Sequence, residues 1–144
     1  LKKIICWKVI GSLPLNEKYV IAVVPHSSYF DLVIAVLIRT YSGLKIKFIG
    51  KKELFNPITS FFFKFLGGIP VDRSKNTNIV NEVVSLFDQK EIEILAIAPE
   101  GTRKEVKKWK SGFYYIALYA NLPILMVSFD YMKKGPPRPS AIYP

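Results

Sequence analysis

The chain has one cysteine, Cys6, and one histidine, His26. A lone cysteine excludes an internal disulfide and fits a reducing compartment. A lone histidine excludes every metal or catalytic arrangement that needs two imidazoles, so any imidazole chemistry falls to His26. Acids are scarce as well: 11 Asp and Glu stand against 21 Lys and Arg, for a net charge of +10. That imbalance favours an anionic partner, and nucleic acid, a phospholipid surface and phosphorylated small molecules all qualify. No secretory signal is visible, since residues 1–7 carry basic side chains but neither a long apolar run nor a small-residue cleavage site. A membrane-spanning helix is also not expected. Residues 111–129 are uncharged, but Asn121 and Pro123 split the run into a buried helix and a buried strand.

Apolar side chains are plentiful. Half of the 144 residues are hydrophobic, including 10 Phe, 8 Tyr and 2 Trp, which is enough for one compact domain and too short for two. With 22% charged residues, most of the chain is expected to order. It starts at Leu1 and stops in a proline-rich run (135–139), so the expectation is a domain core over 1–144 with natural extensions at both ends.

Residues 19–24 form a β-branched apolar run ended by Pro25, a buried strand. A helix over 31–41 follows, stopped by Ser42 and Gly43. Residues 45–49 read as a strand. Pro57 suits the first turn of a helix running to Leu66 and closed by Gly67 and Gly68. A short strand at 69–71, an amphipathic helix at 77–89 and an apolar strand at 92–98 come next. A helix at 112–120 and a strand at 124–129 complete the pattern. Alternating strands and helices predict a single α/β domain with a central, mostly parallel sheet flanked by helices. Ligands then bind at the carboxyl ends of the strands. The polar punctuation falls there: His26 after the first strand, Arg73 after the third, and residues 100–103 after the fourth.

His26 and Asp31 bracket a strand-to-helix turn. Asp31 can fold back onto one imidazole nitrogen and fix the tautomer, leaving the other nitrogen to accept a proton from a substrate hydroxyl. This is the base-and-orienter half of a triad, with no enzyme nucleophile in view: there is no Gly-x-Ser-x-Gly elbow. The plainer alternative is a helix-capping Asp beside an incidental loop His. Arg73 and Arg103, on what the order of elements suggests are adjacent strand ends, match phosphate oxygens in a two-pronged fit. Gly101 allows a tight turn with exposed N–H groups, and Thr102 and Lys110 are auxiliaries. Glu100 reads as a partner that orients the arginines rather than as a second base. The plainer alternatives are an Arg73 ion pair with Asp72 or Glu53, and a solvated face for Arg103 and the lysines at 104–110.

Together these motifs resemble the glycerolipid acyltransferase family, which includes the 1-acyl-sn-glycerol-3-phosphate (lysophosphatidate) acyltransferases. The His-x4-Asp motif matches His26 and Asp31, Gly-x-Ile-x3-Arg matches the stretch ending in Arg73, and Pro-Glu-Gly-Thr-Arg is unchanged at 99–103. Trp109-Lys110-Ser111-Gly112 and Leu122-Pro123-Ile124 are similar to two further blocks, so the resemblance spans about 20–129. Pro25, Ala98 and Met126 depart from the common pattern without touching the proposed chemistry. The family's N-terminal membrane-docking helices are absent apart from a remnant at 1–10. The resemblance implies O-acyl transfer from acyl-CoA or acyl-acyl carrier protein to a lysophosphatidate-type hydroxyl in phospholipid biosynthesis. His26 and Asp31 act as general base and orienter without a covalent intermediate. Arg73, Glu100, Gly101, Thr102, Arg103 and Lys110 hold the acceptor phosphate. No metal and no cofactor beyond the acyl thioester co-substrate is implied.

The implied location is the cytoplasmic face of a membrane, peripheral or anchored through segments outside this sequence. Phe55, Phe61, Phe62, Phe63 and Phe65, with Lys51, Lys52 and Lys64, could seat the domain on anionic lipid. The preferred expectation for any single one of these phenylalanines is the core. Sister acceptors (glycerol 3-phosphate, dihydroxyacetone phosphate, another lysophospholipid or an amino-acid lipid) share the same motifs. A non-catalytic basic membrane- or nucleic-acid-binding domain is the remote alternative. No nucleic-acid partner is expected, because no RNA- or DNA-binding signature is present.

Overall fold

In the computed structural model, the residues described are 2–4, 7–9, 13–14, 17–24, 30–72, 74, 79–101 and 106–128. Two short strands, β1 (Lys2–Ile4) and β2 (Trp7–Val9), pair antiparallel. The remnant of a docking helix expected at 1–10 is therefore not seen: among the described residues this stretch is extended. The strands of the main sheet are β3 (Tyr19–Val23), β4 (Ile46–Lys51), β5 (Gly68–Val71), β6 (Ile94–Ile97) and β7 (Ile124–Val127). Between them lie α1 (Phe30–Ser42), α2 (Ser60–Phe65), α3 (Ile79–Asp88) and α4 (Gly112–Tyr119). The spatial order is β5-β4-β6-β3-β7, and every neighbouring pair is parallel. The expected α/β class and its alternation of elements hold.

Register explains how the core divides. Val20 lies beside Leu95, and both face Val83 and Phe87 of α3 and Ile116 and Ala117 of α4. Alternation along the strands sends Tyr19, Ile21, Ile94 and Leu125 to the opposite face. The connections from β3 to β4 and from β4 to β5 move one way across the sheet, and those from β5 to β6 and from β6 to β7 move back. Right-handed crossovers therefore place α1 and α2 on one face and α3 and α4 on the other. Arg39 of α1 donates to the Phe65 carbonyl at 3.3 Å, joining the first two helices.

Helix ends follow local chemistry. Gly43 (φ 70°) and Gly67 (φ 94°) take left-handed conformations after α1 and α2, as expected for glycine terminators. Asn121 does the same after α4 at φ 54°, and the Leu122 N–H reaches back to the Ala117 carbonyl at 2.8 Å. That reversal is why the uncharged run 111–129 divides into helix and strand, and no described helix is long and apolar enough to cross a membrane. Asn56 Oδ1 accepts the N–H groups of Ile58 and Thr59, each at 2.9 Å, so the turn at Pro57 leads into α2.

Candidate active site

The connections leaving β3 and β6 depart in opposite directions although the two strands are neighbours, paired from Tyr19–Ile94 to Ala22–Ile97. One leads to α1 on the first face and the other to α4 on the second. Neighbouring strands whose connections split in this way leave a crevice beyond their carboxyl ends, the usual ligand position in open α/β sheets. The described residues nearest this crevice are Asp31, which follows β3 in α1, and Pro99 and Glu100, which follow β6 on the other lip.

Asp31 lies in the first turn of α1 and is 2% exposed. On the other lip, Pro99 is fully buried and Glu100 is 7% exposed. Both carboxylates are engaged by neighbouring groups, and no buried side-chain nitrogen or oxygen among the described residues lacks a hydrogen-bond partner. The Gly101 N–H donates to the Ala98 carbonyl at 3.0 Å, closing a tight turn at φ 65°. The loop then returns: the Lys110 N–H donates to the Pro99 carbonyl at 2.8 Å. The Lys110 side chain lies over the turn so closely that a Cβ on Gly101 would stand 2.9 Å from its Cδ and Cε. Glu100, Gly101 and Lys110 are thus brought together, and Asp31 begins the helix that leaves the adjacent strand. His26, Arg73, Thr102 and Arg103 lie outside the described residues.

One sequence reading changes and another is extended. The ends of β5 and β6, from which the segments bearing Arg73 and Arg103 depart, are not adjacent, because β4 lies between them. The connection through α3 passes over β4, so these strand ends are separated by roughly 10 Å, two inter-strand spacings. Asp72, which the sequence suggests only as an ion-pair partner for Arg73, also anchors a turn. Its Oδ1 also accepts the Ser74 N–H at 3.0 Å and the Ser74 hydroxyl at 2.5 Å, while Oδ2 lies 3.8 Å from Lys52 Nζ. The Asp-x-Ser spacing of an Asx turn was the available signal for this anchor at the end of β5.

The profile of the acyltransferase family matches residues 7–130. The chain belongs to the acyltransferase family. Among solved structures, this acyltransferase is similar to the crystal structure of the 1-acyl-sn-glycerophosphate (LPA) acyltransferase PlsC from Thermotoga maritima. The TM-score is 0.54 at 20% sequence identity, over 78% of this chain and 44% of that one. The likeness establishes the fold, and the chain spans less than half of that protein's length. No curated protein sequence matches it.

Proposed function

We propose that this acyltransferase moves a fatty acyl group from acyl-CoA or acyl-acyl carrier protein to the hydroxyl of a lysophosphatidate-type glycerolipid, at the cytoplasmic face of a membrane. The observation that supports the reading is the adjacency of β3 and β6, the two strands that the motif-bearing segments follow in the sequence. His26 takes the proton of the acceptor hydroxyl as the hydroxyl oxygen attacks the thioester carbonyl. Asp31, buried at the start of α1, orients the imidazole and stabilises its charged form. The C–O bond forms, the C–S bond breaks, and the imidazolium returns its proton to the departing thiolate, so no acyl-enzyme is needed. Arg73 and Arg103 grip the acceptor phosphate, with Glu100 orienting them. The Gly101 turn, Thr102 and Lys110 complete the anion site. Holding donor and acceptor together supplies much of the acceleration, and the base adds roughly 10²–10⁴.

Thioester consumption by the full-length protein, measured against a panel of acceptors, tests this directly. Lysophosphatidate is expected to give the highest kcat/KM, and a clear preference for glycerol 3-phosphate, dihydroxyacetone phosphate or another lysophospholipid would reassign the acceptor. His26→Ala is expected to abolish transfer with the circular dichroism spectrum unchanged, and near-normal turnover would end the mechanism. Arg103→Ala is expected to act mainly on the acceptor KM, and an unchanged KM would remove Arg103 from the phosphate site.

A further inference from the structure

Of the five clustered phenylalanines expected mainly in the core, three are outside it. Phe55 and Phe63 pack inward. A Cβ on Gly50 would stand 2.8 Å from the Phe55 ring, and one on Gly68 would stand 2.9 Å from both that ring and the Phe63 carbonyl. The two glycines thus leave room for the Phe55 ring, and Gly68 also for the backbone of α2 at Phe63. Phe61 (82% exposed), Phe62 and Phe65 (72% exposed) face outward, joined by Ile58 (90% exposed) and Leu54. Ile58, Phe61, Phe62 and Phe65 recur at the spacing of a single helix face. Five large apolar side chains within twelve residues (54–65) exceed the scattered exposure that an ordinary surface shows.

We infer that the 54–65 segment is a membrane-insertion wedge, and that its occupant is the headgroup and upper acyl region of an anionic bilayer. Three observations favour lipid over a protein partner. First, Ile58, Phe61 and Phe65 are each more than two-thirds exposed, and side chains so exposed enter a fluid interface without a matching cavity. Second, the backbone at the tip is already satisfied. Asn56 accepts from Ile58 and Thr59, the Ser60 N–H donates to the Asn56 carbonyl, the Thr59 hydroxyl donates to the Leu54 carbonyl, and Pro57 has no N–H. Insertion therefore strands none of these groups away from water. Third, Lys51, Lys52 and Lys64 flank the apolar side chains, with Glu53 and Asp72 (3.8 Å from Lys52 Nζ) as the acids beside them, and the whole chain carries +10. The wedge is also held in place, because Arg39 donates to the Phe65 carbonyl and the Phe55 and Phe63 rings contact each other at 5.7 Å.

Topology gives the wedge a purpose. β4 runs to the carboxyl edge of the sheet and α2 returns from it, so Leu54 and Ile58 lie at the same edge as the β3–β6 crevice. Seating the wedge in a bilayer brings that crevice to the membrane, where a lipid acceptor enters without crossing water. This inference extends the reading above by making its membrane location specific. Its test needs no turnover, so either can fail alone.

The test is flotation of the full chain with vesicles of 30% phosphatidylglycerol in phosphatidylcholine. Phe61→Ser/Phe62→Ser/Phe65→Ser is expected to lose roughly tenfold or more in vesicle partitioning, with an unchanged thermal midpoint. Removing Lys51, Lys52 and Lys64 is expected to cost roughly fivefold per lysine on these vesicles and little on pure phosphatidylcholine. Leu118→Ser/Tyr119→Ser, which removes exposed apolar groups (54% and 60%) from α4 on the other face, is expected to leave binding unchanged. A Phe61→Trp variant should shift its emission to the blue on adding vesicles and be quenched by brominated acyl chains. Unchanged flotation of the triple serine variant, or an unmoved emission from the tryptophan variant, overturns the wedge. So does equal loss from the α4 variant. A dimer in solution that the triple serine variant splits, with flotation intact, would assign the face to a second copy instead.

Discussion

Gly101 shows how a single residue in a motif can be required twice over. Its φ of 65° lies where any residue with a Cβ is strained, and its missing Cβ is the space through which Lys110 passes. The two requirements are separable. Lys110 is a flexible, exposed side chain that can swing aside, whereas the turn cannot relax while the Gly101 N–H stays bonded to Ala98. Gly101→Ala is therefore expected to lower stability by about 1 kcal/mol or more. Lys110→Ala alone should change it by less than about 0.5 kcal/mol. The double variant should remain as unstable as Gly101→Ala, because the dihedral angle and not the contact sets the cost. Urea denaturation of the four species closes the cycle, and recovery in the double variant would show that the contact had been the cause.

At the scale of elements, glycines in otherwise similar motif positions part company. Gly68 starts β5 under the aromatic rings that carry α2, with the Phe63 carbonyl 2.9 Å and the Phe48 ring 3.1 Å from where its Cβ would be. A carbonyl on a packed helix cannot rotate away as a lysine can, so Gly68→Ala is expected to cost about 1–3 kcal/mol through overpacking. The same change should loosen α2 from the sheet. Gly112, the first residue of α4, meets nothing among the described residues within 4 Å of a built Cβ. Gly112→Ala is expected to be neutral or to stabilise by up to about 1 kcal/mol, since alanine is the better helix former. Thermal melts of both variants check the pair, and a melting temperature lowered equally in both would refute the distinction.

The whole molecule rests on β3 and β6, adjacent inner strands whose side chains pack toward both helical layers. Leu95 is fully buried in the layer beneath α3 and α4, next to Val20. Leu95→Ala is expected to remove about 2–5 kcal/mol, a large share of the 5–15 kcal/mol typical of a domain. Because the carboxyl ends of the same two strands launch both motif segments, activity should fall along with the unfolding transition and not ahead of it. Denaturant curves followed in parallel by circular dichroism and by thioester consumption would show coincident midpoints. Separate midpoints would mean that the crevice is built independently of this core.

Much of the molecule was legible from side-chain pattern. Runs such as residues 19–24 and 92–98, bounded by Pro25 and Pro99, announce buried strands because parallel strands covered on both faces need apolar residues at every position. The terminators Gly43 and Gly67 mark helix ends because they alone take the left-handed conformation freely. The ordered motifs around Asp31 and Glu100 announced the family, since their spacing follows strand and loop lengths that are local properties of the chain. Strand order is not local. That β4 separates the ends of β5 and β6 depends on which hydrophobic faces pack across the sheet. The exposure of Phe61, Phe62 and Phe65 was decided in the same way, because the space over Gly50 and Gly68 is taken by the Phe55 ring and the Phe63 backbone. Composition supplied the aromatics and the positive charge. Tertiary packing alone decided which of them remained at the surface.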